Sequence, residues 1–91
     1  MSVKIRVPAQ LRTLTGGAGE VAVDGATVGE ALKALDAAHP GFAERLFDET
    51  GQLRRFVNVF VSDEDVRFLD GLATPVAEGQ TVSIVPAVAG G

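Results

Sequence analysis

Apolar and polar residues alternate at several places along the chain, and this period of two predicts half-buried β-strands. The first alternation runs from Val3 to Val7, and Pro8 ends it. After the glycine-rich turn "GGAGE", the segment "VAVD" from Val21 predicts the returning strand of a hairpin. Farther along, "RRFVNVFVSDEDVRFL" predicts two strands joined by an acidic turn, and "TVSIVP" predicts the last strand. Five strands are therefore expected.

Between the second and third strands the period changes to that of a helix, in "ATVGEALKALDAAHPG". Thr27 and Glu30 have the spacing of a capping box: the hydroxyl accepts from the N–H of Glu30, and the carboxylate accepts from the N–H of Thr27. A proline directly after His39, the only histidine, ends the helix. Phe42 and Leu46 predict a shorter amphipathic turn. The apolar stripe of the main helix consists of Val28, Ala31, Leu32, Leu35 and Ala38.

The predicted element order is β-β-α-β-β-β, without an internal repeat. One helix covers only one face of a sheet, so we expect an α+β fold in which a mixed sheet packs on one main helix. Residues 1–86 would form this domain, and residues 87–91 a flexible tail. In the third strand Val57, Val59 and Val61 should point to one face, and Phe56, Asn58 and Phe60 to the other.

Composition excludes several classes of function. The 91-residue chain has a net charge of −4 and eight scattered basic residues, which is unlike a nucleic-acid binder. It has no cysteine, and hence no disulfide, thiol nucleophile or cysteine-based zinc site. No apolar run reaches the roughly 20 residues of a membrane span. No signal peptide is visible, so a cytoplasmic location without membrane contact is expected.

No side-chain motif for catalysis or cofactor binding is found. "GAGEVA" resembles a dinucleotide fingerprint, but its glycines lead into a strand instead of opening a helix. "SDEDV" gathers three carboxylates, but the calcium-loop pattern needs a glycine and a glutamate where Phe68 and Thr74 stand. We interpret it as a solvated hairpin turn. The chain is therefore not expected to be an enzyme, with no catalytic residue and no metal ligand of its own.

The C-terminus is the most unusual segment. The last strand runs into "PAVAGG", in which no side chain carries a charge or an amide. Such a segment would place the terminal carboxylate of Gly91 at the end of a narrow arm.

The ending "VSIVPAVAGG" and the segment "RRFVNVFVSDEDVRF" with "GLATPVAEGQ" resemble the ThiS/MoaD family of small sulfur-carrier proteins. Within it, the resemblance is closest to the CysO-type carriers of thiocarboxylate-dependent cysteine biosynthesis, and it covers nearly the whole chain. The resemblance implies a ubiquitin-like β-grasp fold.

The resemblance also implies a chemistry at the tail. Gly91 would be the functional residue, because its carboxylate would be adenylated and then converted to a thiocarboxylate. Partner enzymes would take up the tail, which precedes Gly91 as Ala87, Val88, Ala89 and Gly90. The implied partners are an E1-like adenylyltransferase that uses ATP, a PLP-dependent cysteine synthase and a zinc-dependent metallopeptidase. PLP and zinc would be bound by those partners and not by this chain.

Other interpretations remain open. The same carrier chemistry could serve as the small subunit of molybdopterin synthase, or supply thiamine or another sulfur-containing metabolite. The chain could instead be a ubiquitin-like modifier that joins Gly91 to lysines, or a non-covalent interaction module. In every case Phe56 and Phe60 are candidates for an exposed docking patch if their strand face is not covered by the helix; otherwise both are core residues.

Overall fold

A computed structural model of the chain describes residues 2–55 and 57–86. Within these two ranges, two α-helices and three short 3₁₀ helices accompany a five-stranded sheet. The strands are β1 (Ser2–Arg6), β2 (Glu20–Asp24), β3 (Val57–Val61), β4 (Glu64–Asp65) and β5 (Thr81–Pro86). The helices are α1 (Val28–Ala38) and α2 (Phe42–Leu46), and the 3₁₀ helices are Ala9–Thr15, Val66–Phe68 and Gly71–Ala73. The predicted order of five strands and one main helix is confirmed, although β4 has only two residues.

The sheet has the order β2-β1-β5-β3-β4. The central strands β1 and β5 are parallel, and every other neighbouring pair is antiparallel. The N-terminal strand therefore pairs with the C-terminal one in the middle of the sheet. At one end of β5, Pro86 lies opposite Val57 of β3. The sheet is mixed, as the sequence predicted.

One face of the sheet and one side of the helices enclose the core. Alternate residues of β1, β3 and β5 are buried there, against the apolar stripe of α1. Phe42 and Leu46 of α2 are fully buried in the same cluster, which confirms the predicted second turn. Ala38 is an exception to the predicted stripe: it is exposed at the end of α1, where the chain turns and α2 supplies the next core residues. The core of α1 consists of Val28, Ala31, Leu32 and Leu35.

The N-terminus of α1 is capped, but differently from the predicted reciprocal pair. The Thr27 hydroxyl accepts from the N–H of Glu30 at 3.2 Å, as expected. The Glu30 carboxylate, however, accepts from the N–H of Ala26 at 3.3 Å and not from that of Thr27. The reason lies in tertiary pairing. The N–H of Val28 donates to the carbonyl of Thr74 at 2.9 Å, and Ala26 accepts from Val76 at 3.0 Å, so a neighbouring segment fixes the chain on both sides of Thr27.

Ser62 and Asp63 of the acidic segment "SDEDV" form the tight turn between β3 and β4, which confirms the interpretation as a hairpin turn, and the next two residues of the segment are β4 itself. Ser62 and Asp63 both have positive φ, at 49° and 75°. Two consecutive left-handed residues match the right-handed twist of the strands they join. Neither residue is a glycine, so each carries a steric cost from its Cβ.

Candidate functional site at the end of β5

The candidate site begins where the described part of β5 ends. Gly91 and the preceding tail residues, Ala87, Val88, Ala89 and Gly90, lie outside the described residues, as does Phe56. The division into residues 1–86 and a tail of residues 87–91 is therefore still a prediction. Within the described part, Pro86 is the residue from which the tail continues, and we call Pro86 with its partner Val57 the tail root.

The outer face of the sheet lies beside this tail root. In β3, Val57, Val59 and Val61 are buried, while Asn58 and Phe60 are half-buried on the opposite face. The interpretation of Phe60 as a core residue is therefore wrong. The predicted alternation of β3 is confirmed for residues 57–61, because the hydrophobic core occupies only one side of the sheet.

Phe60 borders a shallow depression of about 410 Å³ on the outer face. Val85, which is 44% exposed, and Pro8 add apolar surface, and Arg6 adds a positive charge. Arg6 pairs with Ser83 of β5, and Ser83 pairs with Phe60 of β3, so the three residues lie in one row across the strands. Asp63 lines the same depression, so its apolar surface is bordered by one positive and one negative side chain.

Arg67 holds the start of β3 in place, and the sequence pattern did not predict this role. Its Nη1 donates to Asn58 Oδ1 at 2.6 Å, and its Nη2 donates to the carbonyl of Val57 at 2.7 Å. Nη2 also lies 2.9 Å from the carbonyl of Arg54 and 3.5 Å from that of Arg55. An NH₂ group has two protons, so the longest contact shares a proton with another. One guanidinium thus fixes the strand that pairs with Pro86.

We call these contacts of the Arg67 guanidinium with Asn58 and the backbone carbonyls the Arg67 brace. The sequence gives only a weak signal for it. Arg67 lies nine or more residues from each acceptor, and nothing in the spacing shows that the turn after β4 brings it back to β3. The local geometry depends on Asp65, whose carboxylate accepts from the N–H of Arg67 at 2.8 Å. That bond caps the 3₁₀ helix Val66–Phe68 and directs the arginine side chain toward β3.

The described residues offer no metal-binding cluster: within 2–55 and 57–86, no three histidine or carboxylate side chains come together to hold an ion. His39 lies at the end of α1, as predicted, where its N–H donates to the carbonyl of Leu35 at 2.8 Å. No helix in this part of the chain is both long and apolar enough to cross a membrane.

Asp48 is the one residue among those described with a clearly altered pKa. The Thr50 hydroxyl donates to its Oδ1 at 2.6 Å and lowers the pKa of Asp48. The backbone N–H groups of Gln52 and Thr50, at 3.1 Å and 2.8 Å from the same oxygen, lower the pKa further. These bonds close the loop after α2 and indicate a structural role.

The sheet order, the single main helix and the C-terminal strand at the centre of the sheet define a ubiquitin-like β-grasp fold. The model of the ThiS family matches residues 5–91. The chain is 50% identical to the sulfur carrier protein CysO of Mycobacterium tuberculosis, over the full length of both proteins. The chain belongs to the ThiS family.

Solved structures agree with this placement. A chain of the crystal structure of the Amycolatopsis orientalis BexX/CysO complex superposes with a TM-score of 0.91 at 48% identity. The match covers 98% of this chain and 99% of that one. The small archaeal modifier protein 3 of Haloferax volcanii is 44% identical over 68 residues, which are 75% of this chain and 73% of that protein. The predicted fold and the predicted resemblance are both confirmed.

Proposed function

We propose that this chain is a sulfur carrier whose reactive group is the C-terminal carboxylate of Gly91, and that it supplies sulfur for cysteine biosynthesis. The observation that carries the proposal is that this chain, which has Gly90-Gly91 as its last residues, is similar to CysO carriers over its full length. The fold supports it, because β5 leads the chain from the centre of the sheet directly toward that end.

The chemistry follows from the properties of a carboxylate. The group is ionised at neutral pH, and an anionic carboxylate is a poor acyl electrophile. An E1-like enzyme would therefore join it to the α-phosphorus of ATP, releasing pyrophosphate and leaving an acyl-adenylate. A sulfur donor then displaces AMP and leaves a thiocarboxylate on Gly91. The sulfur of that thiocarboxylate is the nucleophile that the carrier delivers.

The tail composition suits passage through closed active sites. Acyl-adenylates hydrolyse, so the partner must exclude water around the carboxylate. Glycine at positions 90 and 91 permits close approach of the backbone and has no Cβ to accommodate. Ala87, Val88 and Ala89 are narrow and uncharged, so little is lost when they leave water.

In the cysteine route, the thiocarboxylate sulfur would form a bond to Cβ of an activated serine derivative held by a PLP-dependent cysteine synthase, and the activating group would leave that carbon. The resulting cysteine adduct on Gly91 is released by hydrolysis on a zinc-dependent metallopeptidase, which regenerates the carboxylate. ATP, PLP and zinc belong to these partners. This chain contributes the acyl group and the surfaces that bind the partner enzymes, and it acts as their co-substrate, not as an enzyme.

The outer face of the sheet is the docking surface that we assign to these partners. Phe60 and Val85 supply its apolar centre beside the tail root, and Phe56 remains a candidate member from its place in the sequence. We expect Phe60→Ala to raise the KM of the carrier for the activating enzyme, with little change in kcat, because the residue is remote from the reacting carboxylate.

A pyrophosphate-exchange assay tests the carrier chemistry. The full chain, mixed with ATP and the cognate E1-like enzyme, should support exchange, and the form without Gly91 should not. A Gly91→Ala variant keeps the number of backbone atoms but adds a Cβ, so it should support more exchange than the shortened chain and less than the native one. Equal exchange by the full and shortened chains would refute the proposal.

Intact mass then distinguishes the fates of the adenylate. With a sulfur donor, a carrier gains the mass of one sulfur and loses that of one oxygen at its terminus. With cysteine synthase and an activated serine derivative, the mass should then exceed that of the original carboxylate form by one cysteine residue, because the sulfur of the adduct is the one already on the carrier. If the thiocarboxylate forms but this adduct does not, the client is another pathway, such as molybdopterin or thiamine synthesis.

A protein modifier is the second candidate function, and the similarity to small archaeal modifier proteins favours it. A modifier would use the same adenylate to form an amide with lysine amino groups. Conjugates of this chain on lysines of other proteins, found without a thiocarboxylate form, would support the modifier and contradict the carrier.

A further inference from the structure

Phe68 is the most exposed large apolar residue in the described part of the chain. It is 86% exposed, and the next residue, Leu69, is 40% exposed. Phe68 ends the 3₁₀ helix that follows β4, at the edge of the sheet. So exposed a phenyl ring adds almost nothing to the hydrophobic stabilisation of the fold, which depends on the area removed from water. The fold therefore does not account for it.

The segment that carries Phe68 is nevertheless held firmly. Val66, two residues earlier, is fully buried in the core. The N–H of Leu69 donates to the carbonyl of Val66 at 2.9 Å, and Asp65 caps the turn through the N–H of Arg67. The Arg67 guanidinium is anchored on β3. A side chain on a fixed backbone loses little further freedom on binding, so its burial contributes more to affinity.

The length of the tail determines which surface a partner must touch. Five residues follow Pro86, and fully extended they span at most about 17 Å. A partner that encloses the last residues around the reacting carboxylate leaves only a few ångströms of chain between its surface and the tail root. The folded body around Pro86 must then contact the partner directly.

Phe68 falls inside the footprint of such a partner. A specific interface buries roughly 800 Å² on each protein, which is a patch about 30 Å across. The Arg67 guanidinium lies one hydrogen bond from Val57, the residue opposite Pro86, and Phe68 follows Arg67 directly in the chain. A patch of that width that follows this connection from the tail root would include Phe68 as well as the outer face near Phe60.

We propose that Phe68 and Leu69 form a second docking surface, which inserts into an apolar socket beside the active-site entrance of the enzyme that adenylates Gly91. This inference rests on the proposed function. The contact is apolar in character, because neither Phe68 nor Leu69 carries a charge. Its contribution should accordingly change little with ionic strength, unlike that of a charged contact.

The test is a steady-state pyrophosphate-exchange assay in which the concentration of the full-length carrier is varied. We expect Phe68→Ala to raise KM about tenfold, the effect of removing a buried aromatic anchor from an interface. We expect kcat to stay within about twofold, because docking away from the reacting atoms contributes uniform binding. Phe68→Leu keeps an apolar side chain and should restore most of the affinity. Denaturant unfolding should be unchanged in both variants.

Phe60→Ala provides the comparison within the same interface. If the two phenylalanines contact separate parts of one partner, their effects on log KM add in the double variant. Strong non-additivity would mean that they do not act as separate docking surfaces, and would overturn the inference.

The remaining outcomes are decisive as well. If the native chain supports exchange and Phe68→Ala has an unchanged KM, this inference fails while the proposed function stands. A fall in kcat at constant KM would also overturn it, since Phe68 would then affect presentation of the tail and not docking. Light scattering that shows Phe68→Ala abolishing self-association, with KM unchanged, would assign the surface to a second copy of the chain. No exchange with the native chain would remove the proposed function, and this inference with it.

Discussion

The two sides of the sheet, β2 with β1 and β3 with β4, are held in place in different ways. At one end, β1 and β2 pair over five positions, and the inner face of β1 is buried under the helices. At the other end, β4 pairs with β3 over only two positions. Beyond those positions the start of β3 is braced by the side chain of Arg67, which reaches two carbonyls at 2.7 Å and 2.9 Å.

The difference teaches where substitutions should be felt. Hydrophobic burial is non-directional and shared among many neighbours, so its loss lowers the stability of the whole domain. A guanidinium brace is directional and depends on one side chain, so its loss should loosen one segment first. That segment includes the start of β3, which pairs with Pro86, and it is the part of the molecule to which the proposed function assigns partner contact.

Truncation of a side chain in the hydrophobic core should have the largest effect on stability. Leu32 is fully buried in the core beneath the sheet. We expect Leu32→Ala to lower the free energy of unfolding by about 2–5 kcal/mol, because it removes apolar contacts and leaves a cavity. Denaturant unfolding followed by circular dichroism measures this. A cost below about 1 kcal/mol would show that the core can collapse around the site, and would contradict the proposed contrast.

Loss of the Arg67 brace should have a smaller and more local effect. We expect Arg67→Gln to lower the free energy of unfolding by about 1 kcal/mol. The cost is small because Arg67 is exposed, and water weakens its charge-assisted hydrogen bonds. Hydrogen exchange should accelerate at Val57, whose N–H donates to Arg54 at 3.0 Å, more than in β1.

Arg12→Gln is the matched control for the brace. Arg12 also donates from its guanidinium to a backbone carbonyl, that of Val7 at 3.1 Å, but at the other end of the sheet. Its replacement should leave exchange at Val57 unchanged. Equal acceleration by both variants would mean that the start of β3 responds to global stability alone.

The turn between β3 and β4 should permit a small gain in stability. Asp63 has a φ of 75°, which a residue with a Cβ adopts at a cost. We expect Asp63→Gly to raise the free energy of unfolding by about 0.5 kcal/mol, net of the greater freedom of glycine in the unfolded chain. Gly79→Ala is the reverse control, because Gly79 has a φ of 78° and open space around it. It should destabilise the domain, and a stabilising effect would contradict the reasoning.

The smallest expected effect is the pH dependence from Asp48. Its pKa is lowered below the ordinary value of 3.8, chiefly by the Thr50 hydroxyl. The unfolded chain therefore binds a proton more readily than the folded one, so the ionised carboxylate stabilises the fold above pH 3.8. This contribution should disappear as the pH falls through the lowered pKa. Between pH 3.8 and the lowered pKa, the free energy of unfolding of Asp48→Asn should fall less with acid than that of the native chain. Thr50→Val should lie between the two.

The sequence predicted the elements well because their patterns are local. The alternation from Val3 to Val7 and the stripe of α1 each report the face that burial selects, whatever the partner elements are. The predicted cap at Thr27 is found, but the partner of Glu30 moved by one residue. A segment distant in sequence, Thr74 to Val76, fixed the chain there, and no local pattern contains that information.

The candidate site divides in the same way. The position and the chemistry of the Gly-Gly ending can be predicted from the sequence, because the proposed reactive group is the carboxylate of the last residue, Gly91. The face on which Phe60 lies required the structure, because a shift of one residue in register exchanges the faces of a strand. The role of Arg67 was not predicted, because an arginine that directly follows an acidic segment has the pattern of a solvated side chain.

By itself the sequence determined the kind and order of the elements, the main helix and the uncharged C-terminal segment, because each depends on residues close together in the chain. Only the tertiary structure decided that β1 and β5 pair in parallel at the centre, that Phe60 faces outward, and that Arg67 braces the strand opposite Pro86. These features depend on contacts between residues distant in sequence. Their free energies become available only when the whole sheet has formed around its helix.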